Sequence, residues 1–164
     1  MAFSERSFDI VIVGAGMVGS LLAALLRDSG LSILLLERAP VTAPAREAAF
    51  EPRVSALTRA SENLLRHVGA WSAIESCRRC AYTGMTVWDA DGSGRVEFSA
   101  AGIGESHLGV LVENRLLQAA LTDAATQADN VTFECPAQLT HLERLPHPAV
   151  DDLSFPDLAA VARM

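Results

Sequence analysis

Three glycines at G-x-G-x-x-G spacing, in the run Gly14-Ala-Gly-Met-Val-Gly19, carry the first chemistry legible in this sequence. Gly14 permits a tight turn. Gly16 lets a pyrophosphate approach the backbone with no Cβ in the way, and Gly19 lets a following helix pack closely on the preceding strand. The N-terminus of that helix offers free N–H groups and a partial positive charge to phosphates. Glu37 lies 23 residues after Gly14, where a carboxylate accepts hydrogen bonds from ribose hydroxyls. The same carboxylate repels a 2′-phosphate, so the expected ligand is FAD or NAD(H) rather than NADP(H). A glycine-rich turn without a ligand is the plainer reading, but such a turn does not need an acid at this distance.

Other residues have reactive types and weaker settings. Cys77-Arg-Arg-Cys80 has the spacing of a metal or redox pair. A structural zinc site needs four ligands, and the remaining cysteine, Cys135, supplies no second close pair. The pair is therefore read as incidental. His107, in the glycine-rich loop Gly102 to Gly109, has the ring chemistry of an acid or base. Trp71 and Trp88 are read as core residues rather than stacking platforms. Asn114 precedes a helical stretch, where it has the type of an N-cap.

The elements that must position these residues follow from periodicity. Phe8 to Val13 is apolar and β-branched, the pattern of a buried strand. Met17 to Arg27 reads as a helix stopped near Gly30, and Ser32 to Leu36 as a second buried strand ending on Glu37. This is a β-α-β unit of about 30 residues, the length a parallel crossover needs. Residues 39–53 form a long loop holding Pro40, Pro44 and Pro52, and loops of that length are often functional. The pattern predicts helices over Leu57–Val68 and Arg115–Ala125 and a turn at Trp71–Ile74. It predicts a hairpin of Met85–Trp88 with Val96–Phe98 around Asp91-Gly92, and strands at Leu108–Val112, Val131–Phe133 and Ala137–Leu142. Residues 146–164, with Pro146, Pro148 and Pro156, lose periodicity and are expected to be an irregular tail.

Composition bounds the rest. The chain has 164 residues, half of them hydrophobic and a fifth charged, so it is one folded domain rather than a disordered segment. The net charge is −7; residues 1–80 hold nine Arg against eight acids and residues 81–164 four against twelve. That balance argues against a nucleic-acid surface. No apolar run reaches the ~18 residues of a membrane span. Three cysteines and no basic-then-apolar leader suggest reduced thiols in a cytoplasmic setting.

The run Asp9-Ile-Val-Ile-Val-Gly-Ala-Gly-Met-Val-Gly19 through Leu36-Glu-Arg38 resembles the start of the FAD-dependent aromatic hydroxylases. Arg53-Val-Ser-Ala-Leu57, Gly84-Met-Thr-Val-Trp-Asp89, and Ser106-His-Leu-Gly109 leading into Val112-Glu-Asn-Arg-Leu-Leu117 narrow it to the hydroxylases of ubiquinone biosynthesis, the 2-polyprenylphenol type. The resemblance covers about residues 8–143. It implies an α/β fold: a Rossmann-like FAD-binding β-α-β domain of the para-hydroxybenzoate hydroxylase type, truncated, with a small β-hairpin insertion. It implies FAD held by Gly14, Ala15, Gly16, Met17, Val18 and Gly19 at the phosphates, by Glu37 at the ribose and by Arg38 beside the adenosine. Arg53 matches an arginine on the flavin side. Asn114 matches a polar contact to the ribityl-pyrophosphate region, and Leu139 a position near the adenine. Asn114 as a plain cap and Leu139 as a core leucine are the alternatives. No catalytic residue and no metal ligand is carried over, His107 included, because the reduced flavin and oxygen do the chemistry and the protein positions and shields them.

In that family NAD(P)H reduces FAD and oxygen is then inserted into an electron-rich prenylated phenol. The resemblance implies a small-molecule partner and no nucleic acid. It leaves room for peripheral attachment to the inner membrane or membership of a biosynthetic complex. Members are about two and a half times this length and carry later Ala-Asp-Gly and Gly-Asp motifs. Here the only Asp-Gly is Asp91-Gly92, too early and in a hairpin context. The expectation is thus an N-terminal portion, residues 1–145, followed by a tail of unrelated or frameshifted character, and inactive alone. A frameshift, premature stop or shortened gene model would account for it. A non-enzymatic dinucleotide-binding module and a fragment of an NAD-dependent dehydrogenase are the rival readings.

Overall fold

The computed structural model describes residues 6–76, 78–145 and 159–163. Along the chain, β1 (Ile10–Val13), α1 (Met17–Leu25) and β2 (Ile33–Leu36) form the opening unit. After the long loop come β3 (Val54–Thr58), α2 (Arg59–His67), α3 (Trp71–Glu75) and β4 (Arg79–Tyr82). Then follow β5 (Gly84–Trp88), β6 (Arg95–Ser99), β7 (Gly109–Glu113), α4 (Asn114–Thr126), β8 (Val131–Glu134), β9 (His141–Leu145) and β10 (Ala159–Arg163).

The first sheet is parallel, in the order β1-β2-β8. All four residues of β2 are buried, which is why Ile-Leu-Leu-Leu is apolar without alternation: a central parallel strand is covered on both faces. Asp9 and Ser32 fix the register at the strand starts. The Asp9 carboxylate accepts from the Ser32 N–H and hydroxyl, both at 2.7 Å, and the Asp9 N–H donates to the Ser32 carbonyl at 3.0 Å. The Ser32 hydroxyl holds the Asp9 carboxyl below its ordinary pKa. α1 packs against α4 through small residues, with Ala23, Ala24, Ala120 and Ala124 buried. A buried Ser20–Thr122 hydroxyl pair at 2.9 Å joins the two helices.

A second sheet is antiparallel, in the order β3-β7-β4. Leu65, Val68, Trp71 and Ile74 from α2, α3 and their junction are buried in the same core as Val110 and Val112 of β7. Thr58 caps α2 by accepting from the Ser61 N–H at 3.3 Å, and Gly69 ends it at φ +84. β5 and β6 form a separate hairpin whose turn contains Asp91-Gly92, with the Asp89 N–H donating to the Gly94 carbonyl at 2.9 Å.

Several expectations need correction. The helix foreseen over Leu57–Val68 starts at Arg59, because Val54–Thr58 is a strand paired with β7. Cys80 lies in β4, also paired with β7, while Cys77 lies outside the described residues. Trp71 is core, but Trp88 is 69% exposed on the hairpin. The strand foreseen over Ala137–Leu142 begins only at His141. Residues 159–163, foreseen as irregular, pair antiparallel with β9.

Candidate dinucleotide-binding site

The glycine turn sits at the C-terminal end of β1, beside the end of β2. The Gly14 N–H donates to the Leu36 carbonyl at 2.8 Å, and Gly14 itself has φ +102. A β-carbon there would be strained, as the turn requires of its first glycine. Ala15 is fully buried. Its N–H donates to Glu37 Oε2 at 2.8 Å, and its carbonyl accepts from Gln118 Nε2 of α4 at 2.8 Å. Glu37 Oε1 accepts from the Ala39 N–H at 3.1 Å. A carboxylate has about four lone-pair sites, so Glu37 ties the loop to the end of β2 and retains acceptor capacity toward solvent.

Gly16 is the N-cap of α1 and has no side chain to satisfy the helix end. The first helical bond runs from the Ser20 N–H to the Gly16 carbonyl at 2.9 Å, leaving the N–H groups of Met17, Val18 and Gly19 without intrahelical acceptors. A β-carbon at Gly16 would meet nothing within 4 Å, whereas one at Gly19 would lie 2.1 Å from the Gly14 carbonyl oxygen. The first glycine therefore faces open space and the second a packed contact. Met17 is half-buried, and Val18 is 83% exposed.

Asn114 is the first residue of α4 rather than its cap; Glu113 holds the cap position. The Asn114 N–H donates to the Arg53 carbonyl at 3.0 Å, and its Oδ1 accepts from the Ser55 hydroxyl at 2.7 Å. Arg53 and Asn114 are thus brought side by side. Four residues on, about 6 Å along the helix axis, Gln118 reaches the glycine loop. Arg38 and Arg53 are exposed, and neither guanidinium makes a hydrogen bond or ion pair among the described residues. Leu139 is half-buried, two residues beyond Ala137, whose N–H donates to the Glu37 carbonyl at 2.8 Å. His107 lies elsewhere, with Nε2 2.9 Å from the buried carboxylate of Glu62 and Nδ1 2.8 Å from the Ser106 hydroxyl.

Gln118 escaped the sequence reading, as did the buried Arg78–Glu113 pair. A glutamine on a polar stripe of a helix and two charges 35 positions apart have no local signature.

A parallel β-α-β unit with a bare helix N-terminus, an open glycine and an acid on the neighbouring strand end defines a Rossmann-like dinucleotide fold. The open face at Gly16, the unsatisfied N–H groups and the free lone pairs of Glu37 suit an adenosine diphosphate moiety. The chain belongs to the FAD binding domain family, whose model matches residues 7–150, and FAD is its cofactor. It is 35% identical over 141 residues to 3-demethoxyubiquinol 3-hydroxylase of Escherichia coli, covering 86% of this chain and 36% of that protein. It is 34% identical to the mitochondrial ubiquinone biosynthesis monooxygenase COQ6 of Drosophila melanogaster, covering 78% and 28%. This chain thus spans about a third of the length of the curated relatives it matches. Among solved structures, the flavin-dependent monooxygenase PieE in complex with FAD and substrate shares the fold with TM-score 0.61 and 20% identity, over 87% of this chain and 26% of that one. A probable FAD-dependent monooxygenase from Pseudomonas aeruginosa, pqsL, does so with TM-score 0.63 and 18% identity, over 85% and 35%.

Proposed function

We propose that this chain forms the adenosine- and pyrophosphate-holding half of an FAD site, with part of its flavin edge, in a monooxygenase that hydroxylates a prenylated phenol of ubiquinone biosynthesis. The observation that carries this reading is the Glu37 carboxylate bonded to the Ala15 N–H. It holds the ribose-binding acid and the phosphate loop in one arrangement at the strand ends.

Within the Gly14–Gly19 loop the N–H groups of Met17, Val18 and Gly19 are left for the pyrophosphate. Gly14 and Ala15 shape the turn through their bonds to Leu36 and Glu37, and Glu37 accepts from the ribose hydroxyls. Arg38 lies beside the adenosine and Leu139 beside the adenine. Arg53 and Asn114 reach the ribityl and flavin side. Bound FAD, reduced by NAD(P)H, supplies the oxygen-inserting chemistry; this chain's residues bind and orient it. The relatives' names support the substrate class. No helix among the described residues is long and apolar enough to cross a membrane. A lipid-like substrate is what supports a cytoplasmic location at the inner-membrane surface, in or beside a biosynthetic complex.

The test is equilibrium binding of ADP against its 2′-phosphorylated form. ADP binds at least tenfold more tightly, because Glu37 repels the extra phosphate. Glu37→Gln weakens ADP about tenfold, the order expected for a hydrogen bond to a charged group, and it narrows the discrimination. Equal affinities in the wild-type chain contradict the reading.

A further inference from the structure

Arg78 and Glu113 are both buried, and their side chains are joined through Arg78 Nε to Glu113 Oε2 and through Nη2 to Oε1 at 2.8 Å. The remaining donors of the guanidinium reach the long loop. Nη1 donates to the carbonyl of Ala48 and, at 3.3 Å, to that of Ala45, while Nη2 donates to that of Ala49 at 2.9 Å. The ring of Phe50 lies 4.3 Å from the guanidinium carbon. Glu113 Oε1 accepts from the Glu51 N–H at 2.7 Å. A planar fork with five donors can serve several carbonyls and a carboxylate together, which an ammonium cannot.

The sequence positions of these contacts matter. Glu51 is two residues before Arg53, and Glu113 is immediately before Asn114. A buried ion pair is a weak source of stability, and apolar residues of similar volume often replace one at no cost. Packing alone therefore does not call for it here. We propose that Arg78 and Glu113 are positioning residues: they clamp the loop over residues 45–51 and so hold Arg53 and Asn114 together at the flavin side of the site. The proposal rests on the FAD reading above only in the last step; the clamp itself is a property of the loop.

The experiment uses the full 164-residue chain with the double substitution Arg78→Met and Glu113→Leu, which removes both charges and so avoids leaving one buried alone. Three quantities are read: ADP affinity, FAD affinity, and the rate of tryptic cleavage after Arg46 inside the clamped loop. ADP reports the glycine loop and Glu37, which the clamp does not touch, so its affinity stays within about twofold. FAD affinity relative to ADP falls at least tenfold, and cleavage after Arg46 accelerates at least tenfold. Unchanged cleavage overturns the clamp. Faster cleavage with an unchanged FAD-to-ADP ratio overturns the positioning role. Should the double variant fail to fold, Glu113→Gln, which keeps shape and one acceptor, is read on the same scales with the same direction required. If the wild-type chain binds neither nucleotide, the FAD reading and the positioning role fall together, whereas faster cleavage still upholds the clamp.

Discussion

A β-carbon at Gly19 would lie 2.1 Å from the Gly14 carbonyl oxygen, and one at Gly16 would meet nothing within 4 Å. The fold therefore requires a glycine at position 19, whereas at position 16 it leaves open space, which is what the proposed pyrophosphate contact needs. Gly19→Ala forces backbone apart and costs about 1–3 kcal/mol, as overpacking does; thermal melting of that variant shows a lowered midpoint together with lost ADP binding. Gly16→Ala melts close to the wild type and still binds ADP more weakly, which titration checks. Glu113 gives a second test at this scale. Its bond to Arg78, chiefly, holds its carboxyl below the ordinary value of 4.5, against burial, which pushes it up. A carboxyl whose pKa is depressed in the folded state stabilises fully above its unfolded value and loses that contribution as pH falls through the folded one. Urea midpoints measured downward from pH 6 therefore fall more steeply in the wild type than in Glu113→Gln.

β1 shows what the elements leave exposed. Among the described residues it pairs only with β2, so one edge of an apolar, β-branched strand has unpaired backbone groups. Val11 and Val13 are 38% and 58% exposed. Such edges template association between chains. Val11→Lys, on the exposed face, is expected to raise the concentration at which the chain stays monomeric in sedimentation velocity, with α/β circular dichroism unchanged. β1, α1 and β2 were legible because their signals are local: an apolar run, a glycine triplet, a helical stripe and an acid within 30 residues. The β5–β6 hairpin and the start of β7 were legible for the same reason. β3 and β4 were not. Val-Ser-Ala-Leu-Thr alternates between exposed and half-buried positions, but with Val54 exposed and Ser55 half-buried its residue types do not follow that alternation, and Arg-Cys-Ala-Tyr is exposed except at Tyr82. They are strands because β7, more than 25 residues away in sequence, pairs with both. Arg53 and Asn114 came from resemblance; that they are neighbours is a consequence of the β3–β7 pairing. The clamp at Arg78 depends on the same long-range pairing, which no local pattern announces.

At the scale of the whole molecule, the site is half of something. The parallel sheet, the glycine loop and Glu37 form the proposed adenosine end of the site, and the α4 N-terminus with Asn114 lies toward its proposed flavin side. The Gly-Asp motif that the family resemblance assigns to the ribityl chain does not occur in the 164 residues, and Asp91-Gly92 falls in a hairpin turn. The apolar face of that hairpin, with Met85, Val87, Val96 and Phe98 all about half exposed, has no covering layer among the described residues. The chain alone is accordingly expected to hold FAD weakly and to show no FAD-dependent NADH or NADPH oxidation above the rate of free flavin, followed by absorbance of the reduced nicotinamide. The central claim is that FAD is held here by its ADP moiety on the glycine loop. The most direct measurement is a titration of FAD with the 164-residue chain, followed by flavin fluorescence anisotropy, with ADP as competitor and Gly16→Val as the blocked site. The account predicts a rise in anisotropy that ADP reverses fully and that Gly16→Val abolishes while leaving the fold intact. A rise that persists in excess ADP, or that is the same in Gly16→Val, would contradict it.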